Sequence, residues 1–135
     1  MICIVQARMS SKRLPGKSLL KMKKKFILER VIDNLYLSKK IKKIIVATSN
    51  KKSDNQIVNF CKKRNILFTR GSLRNVALRY IKTLKYYPCK FFLRITGDSP
   101  LIDYKLIDKI ISLSKKKNLT FLLIHFLEHF QKVIQ

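Results

Sequence analysis

At 135 residues, 47% of them hydrophobic, the chain has room for one folded domain and too much apolar content to remain disordered. Thirty-one Lys and Arg against seven Asp and Glu give a net charge of +24, which points to nucleic acid or an anionic membrane as conceivable partners. Ile, Lys, Asn and Phe are abundant and Gly is scarce, the bias of an A/T-rich coding sequence. Most of the charge therefore reads as solvated surface, and only the cations placed in loops are informative.

Ile2 to Val5 is a short apolar run that reads as a buried strand. It leads straight into a loop carrying Arg8, Arg13 and Lys17, with Pro15 and Gly16 setting a turn. A strand that ends in a basic, hydroxyl- and glycine-containing loop is how α/β proteins offer cations and backbone N–H groups to phosphates. Phe26 to Leu35 has apolar residues at helical spacing (Ile27, Leu28, Val31, Leu35). Lys43 to Ala47 is the next strand, followed by a helix from Asp54 to Arg64 with Ser53 or Asp54 as its N-cap. Ile66 to Thr69 is a strand, Leu73 to Tyr86 a helix, Phe91 to Ile95 a strand, and Leu106 to Leu113 a helix started by Asp103. This alternation predicts an α/β fold, a mostly parallel sheet with helices on both faces, without internal repeat or interdomain linker.

Cys3, Cys61 and Cys89 lack metal-ligand spacing and read as reduced core residues of a cytoplasmic protein. The first strand begins at once, leaving no room for a signal peptide, and the apolar run Leu119 to Leu127 is too short to span a bilayer. The three glycines, Gly16, Gly71 and Gly97, all fall in loops at or after strand ends, where ligands bind in open α/β sheets and side-chain bulk obstructs close approach. Among the acids, only Asp98 follows a strand directly within a glycine-containing turn, a placement suited to holding Mg²⁺ opposite a phosphate loop. The competing use of Asp98 is an Asx-turn or cap, and Asp103 suits a cap better than a ligand. His125 and His129 sit four apart in the tail without further ligands nearby, so the body has no histidine base and its chemistry must rest on cations, metal and positioning.

The segments "IVQARMSSKRLPGKSLL", "KIIVATSNKKSDNQI", "RGSLRNVALRY" and "FLRITGDSPLID", in that order over residues 2–113, resemble the signatures of the cytidylyltransferases of the acylneuraminate and spore-coat-polysaccharide type. The resemblance implies a three-layer Rossmann-like, nucleotide-diphospho-sugar transferase fold. It places CTP binding on Gln6, Ala7, Arg8, Ser11, Arg13, Gly16 and Lys17, with base and ribose near Ala47, Thr48, Ser49 and Arg79, glycine approach at Gly71 and Gly97, and Mg²⁺ at Asp98. Arg8, Arg13 and Lys17 are the implied catalytic cations. The implied reaction is attack of a sugar hydroxyl on the α-phosphate of CTP, giving a CMP-sugar of the nonulosonic, sialic-acid-like class for surface polysaccharide. Its partners are CTP and a sugar acceptor, without nucleic acid or membrane, and the full-length family is commonly homodimeric.

Three positions depart from the family pattern: Ser10 stands in place of glycine, Asn75 in place of an acid, and Ser99 in place of cysteine. The resemblance ends near Lys117, so residues 1–117 are expected to form an incomplete nucleotide-binding domain that is weakly active or inactive by itself. Residues 118–135 form a tail unlike the family. Lys115 to Asn118 would be encoded by a nearly unbroken run of A, and one shifted reading of the tail codons resembles the family's next block (aromatic-Asp-aromatic, then Arg-Thr-Phe-Pro-Lys-Gly). The tail is therefore read as out of frame, and resequencing across that run tests it. Two other classes remain open: a glycosyltransferase-like nucleotide-sugar binder, against which the lack of an Asp-x-Asp site speaks, and a basic nucleic-acid module, against which the lack of any known motif speaks.

Overall fold

The computed structural model describes residues 1–116, and the expected out-of-frame tail lies outside them. In chain order the elements are β1 (Ile2–Gln6), β2 (Lys21–Met22), β3 (Lys25–Phe26), α1 (Ile27–Tyr36), β4 (Lys43–Ser49), α2 (Asn55–Lys63), β5 (Leu67–Gly71), α3 (Val76–Tyr86), β6 (Phe92–Thr96) and α4 (Tyr104–Lys116). Four strands make one parallel sheet in the order β5-β4-β1-β6, and β2 pairs with β3 as a small antiparallel hairpin.

The strands at the centre are apolar on both sides because both faces are covered. Cys3, Val5 and Ala7 of the first strand region, with Ile44, Val46, Leu93 and Ile95, point to the face that packs on Leu28, Val31, Ile32 and Leu35 of α1. Ile57, Phe60 and Cys61 of α2 and Ile107 and Ile111 of α4 complete that core. Ile4 and Ala47 point the other way and meet Tyr80 of α3. The helix apolar stripes thus follow the 3.6-residue repeat, and the strand side chains follow the two-residue repeat.

The expected alternation is present, with shifted bounds. β5 runs on to Gly71 because its ladder with β4 continues through Thr48↔Arg70 and Ser49↔Gly71. α3 begins at Val76 rather than Leu73: the Ser72 hydroxyl accepts from the Asn75 N–H (3.0 Å), and the Asn75 side chain accepts from the Leu78 N–H (3.0 Å) as the cap. Asp103 does start α4, its carboxylate accepting the Lys105 N–H at 2.8 Å. The hairpin has no sequence periodicity to announce it and turns through Lys23 at φ 58°.

Cys3 and Cys61 are core residues, but Cys89 is half-buried in the α3–β6 connection, which corrects its expected place in the core. Burial raises all three thiols, Cys61 to about 12 and Cys3 further. Since only a reachable thiolate reacts, a thiol reagent on the native protein at neutral pH is expected to modify Cys89 about tenfold or more ahead of the other two. Peptide mapping of the labelled protein checks it.

A second expectation concerns acid stability. Asp108 of α4 accepts hydrogen bonds from the Ser38 hydroxyl and the Lys39 N–H (3.1 Å), tying the last helix to the α1–β4 turn. Burial pushes its carboxyl upward, but these donors outweigh that and leave it below its ordinary 3.8. A carboxylate depressed in the folded state contributes stability above the unfolded value and loses it as pH falls through the folded one. Asp108→Asn is therefore expected to flatten the fall of the urea midpoint below pH 3.8 relative to wild type.

Candidate active site

The chain steps outward from β1 to β4 to β5 and then crosses back over β1 to lay down β6 on its other side. That reversal opens a crevice outside the carboxyl ends of β1 and β6, where open α/β sheets take their ligands. Gln6 stands opposite Ala47 on one side and Thr96 on the other. The seam is closed below by Gly97 N–H donating to Gln6 O (2.8 Å) and Ala7 N–H donating to Ala47 O (3.2 Å).

The basic loop leaves β1 here and is folded back on itself. Met9 O accepts from both Ser11 N–H (3.0 Å) and Gly16 N–H (2.7 Å), and the Ser11 hydroxyl accepts weakly from Leu14 N–H (3.4 Å). Gly16 then enters the short 3₁₀ turn Lys17–Leu19 at φ 73°, in the left-handed region where a side chain is strained. The turn carries Lys17 across the crevice, and its Nζ lies 3.2 Å from Asp98 Oδ2. The two side chains are 39% and 41% exposed, so this pair faces solvent at the mouth. Arg13 is exposed on the loop, and Arg8 is half-buried near Arg79.

Arg79 of α3 is only 2% exposed. Its Nη1 donates to Ser72 O (2.8 Å) and Leu73 O (3.2 Å), while Nε and Nη2 have no hydrogen-bond partner among the described residues. Burial first, and then the Arg8 guanidinium, pull Arg79 below the usual arginine range. The Thr48 hydroxyl is likewise buried without a partner. Buried donors left in this state cost about 1–3 kcal/mol each, so they mark where an acceptor-bearing ligand gains most.

Gln6 is held from the α3 side. Its Oε1 accepts from Tyr80 Oη (3.2 Å) and Arg94 Nη2 (3.4 Å), and Arg94 lies 5.6 Å over the Tyr80 ring. Arginine only donates, so the atom facing it is the amide oxygen and Nε2 is the end left to donate. The sequence reading included Gln6 but not the Tyr80 and Arg94 that orient it.

Ala7, Ala47, Gly71 and Gly97 are buried. A Cβ on Gly71 would stand 2.8 Å from Arg79 Cγ, and one on Gly97 would stand 3.0 Å from Ala7 Cβ and 3.1 Å from Gln6 O. Asp54 occupies the N-cap position of α2, as expected, but its side chain does something else. Neither it nor Ser53 caps α2 through its side chain; α2 instead continues the 3₁₀ turn Lys52–Asp54. The Asp54 carboxylate, fully buried, turns inward to accept from Met9 N–H (2.7 Å), Ser49 N–H (3.1 Å) and the Ser49 hydroxyl.

Lys17 and Asp98 thus meet at the mouth of the crevice and Arg8 lies near the buried Arg79 of α3, while Arg13 is exposed on the same loop as Arg8 and Lys17. Residues 1–116 contain no histidine. The arrangement suits anion binding and charge stabilisation rather than proton abstraction by imidazole.

Comparison with known proteins bears on this arrangement. The family model described as cytidylyltransferase matches residues 2–134. An uncharacterized protein of Methanocaldococcus jannaschii is 44% identical over 117 residues, covering 87% of this chain and 48% of that protein. The spore coat polysaccharide biosynthesis protein SpsF of Bacillus subtilis is 34% identical over 112 residues, covering 80% of this chain and 47% of that protein. Among solved structures, a cytidylyltransferase from Leptospira borgpetersenii superposes with a TM-score of 0.78 at 35% identity, over 83% of this chain and 47% of that one. The chain thus spans about half the length of the relatives it matches. With its Rossmann-like parallel sheet and these matches, the chain belongs to the cytidylyltransferase family.

Proposed function

We propose that the crevice between β1 and β6 binds CTP, and that the chain serves transfer of CMP to a sugar for surface polysaccharide synthesis. In that reaction a sugar hydroxyl oxygen bonds to the α-phosphorus of CTP and its proton passes to solvent water. The bond from the α-phosphorus to the bridging oxygen breaks, and pyrophosphate departs with the electron pair. Arg8, Arg13 and Lys17 surround the triphosphate and offset the charge that grows on pyrophosphate. Arg79 Nε and Nη2 supply donors to the nucleoside side. A nonulosonic, sialic-acid-like sugar is the finer proposal, supported by the excess of cations over carboxylates around the crevice, which suits an acidic acceptor.

Asp98 fits Mg²⁺ by the chemistry of its donor: a half-exposed carboxylate at a strand end, opposite the phosphate loop. Among the described residues no group of three or more metal-ligating side chains exists. An ion at Asp98 would be held by that one carboxylate, waters and substrate phosphates. Bound there, Mg²⁺ would supply Lewis-acid polarisation of the phosphate oxygens.

The observation that carries the reading is the 3.2 Å contact of Lys17 Nζ with Asp98, which joins the cationic and metal-holding sides of one crevice. Thermal unfolding with Mg²⁺ and CTP, ATP, GTP or a UDP-sugar tests it. CTP at a hundredfold excess over Kd is expected to stabilise by about 2.7 kcal/mol, and the others by less. Equal shifts for all four, or tight nucleic-acid binding at physiological salt without a CTP effect, would count against it.

A further inference from the structure

We infer that Asp54 is a positioning residue that sets where the basic loop stands. Three donors from two segments converge on its fully buried carboxylate: Met9 N–H on Oδ1, and Ser49 N–H and Oγ–H on Oδ2. Ser49 ends β4, so that oxygen is fixed to the sheet. Met9 lies in the loop, 45 residues away in sequence, so the other oxygen fixes the loop.

Met9 is also the loop's pivot. Its N–H is held by Asp54, while its carbonyl holds Ser11 N–H and Gly16 N–H. Gly16 opens the turn that carries Lys17 to within 3.2 Å of Asp98. A continuous line of hydrogen bonds thus runs from β4 through Asp54 and the Met9 peptide to the turn bearing Lys17. Met9 is gripped on both sides of its Cα, by its N–H in one peptide plane and its carbonyl in the next, which fixes the φ and ψ between them. Asp54 bonds the loop's backbone and makes no ion pair with a loop cation, while its charge also acts on Arg79, so an effect confined to the triphosphate is the one that reports where the loop is held. Asp54→Asn leaves one uncharged oxygen for three donors and turns an NH2 toward one of them, so the grip on Met9 weakens and the loop, tethered at the end of β1 and at the 3₁₀ turn, opens more often between them.

The test uses Asp54→Asn in the full chain, with Asp108→Asn as a control for losing a hydrogen-bonded carboxylate elsewhere. In ligand-free protein, hydrogen-exchange NMR is expected to show Met9, Ser11 and Gly16 amides exchanging about tenfold or more faster in Asp54→Asn. Amides of β1 and β6 stay near wild type, and the control leaves the loop unchanged. The second readout rests on the CTP reading: the ratio of CTP to CMP affinity is expected to fall about tenfold, with CMP affinity retained, because only the triphosphate reaches the loop. A general loss of structure would instead lower both affinities together.

Unchanged loop exchange, or an equal loss for CTP and CMP, overturns the assignment. Failure of wild type to bind CTP overturns the CTP reading and leaves the exchange result standing. Should Asp54→Asn not fold, Ser49→Ala removes the hydroxyl that anchors Oδ2, and loop exchange faster by about threefold is expected. Loop exchange equal to wild type in that variant overturns the assignment as well.

Discussion

Lys17→Ala is expected to weaken binding of Mg²⁺-CTP by about 10- to 100-fold while barely changing stability. The asymmetry follows from exposure. The Lys17–Asp98 pair is 39% and 41% exposed, and exposed ion pairs contribute about 0–1 kcal/mol to folding. A charge-assisted contact to a phosphate in a crevice contributes about 1.5–3 kcal/mol, the quoted factor in affinity. Arg13→Ala is expected to move in the same direction, because Arg13 is exposed on the same loop and its removal disturbs no core packing. Calorimetric titration with Mg²⁺-CTP beside urea unfolding reads both quantities. If both variants bind as wild type does, the loop is not part of the site.

Gly97→Ala is expected to do the reverse, lowering stability first. The added methyl would stand 2.9 Å from Leu28 Cδ1, 3.0 Å from Ala7 Cβ and 3.1 Å from Gln6 O. The end of Leu28 can rotate aside, but Ala7 and the Gln6 carbonyl belong to the end of β1 and move only with the strand. Overpacking of this kind costs about 1–3 kcal/mol, and each kcal/mol lowers Tm by about 3–4 °C in a domain of this size. The same separation of β6 from β1 would draw Asp98 away from Lys17, so CTP affinity is expected to fall as well. Gly16→Ala is milder in packing, meeting only the mobile end of Met9 at 3.3 Å, and its cost of about 1–2 kcal/mol comes from the backbone at φ 73°. Thermal unfolding of the two variants tests this, and a Gly97→Ala protein as stable as wild type would show that the strand ends are not so tightly apposed.

The parts of the site that were legible in the sequence are those whose chemistry is contiguous. The stretch from Gln6 to Lys17 carries its cations, hydroxyls and turn residues in a single run, and Asp98 stands beside its strand and its glycine. Asp54 was not legible, because a carboxylate just before a helix has the same sequence signature whether it caps that helix or reaches a loop 45 residues upstream. The Tyr80 and Arg94 contacts with Gln6 are hidden for the same reason: they join α3, β6 and β1 across the sheet. Position alone singles out Gly71 and Gly97, but the atoms that crowd them are those of Arg79, Leu28, Ala7 and Gln6, which only packing reveals. The β2–β3 hairpin escaped because two-residue strands rich in lysine show no alternation.

The strand order also has a bearing on synthesis from the amino terminus. β1 gains one neighbour, β4, early, and waits for the other, β6, until the chain has grown far beyond it. Lys17 and Asp98 are 81 residues apart, so a nascent chain ending after β5 has its cationic loop made and no carboxylate to face it. Closure of so distant a contact meets its loop entropy late, so pairing of the sixth strand is expected to be the slow step of folding, which stopped-flow refolding would read. Until then the open edge of the first strand is available for pairing with another nascent chain.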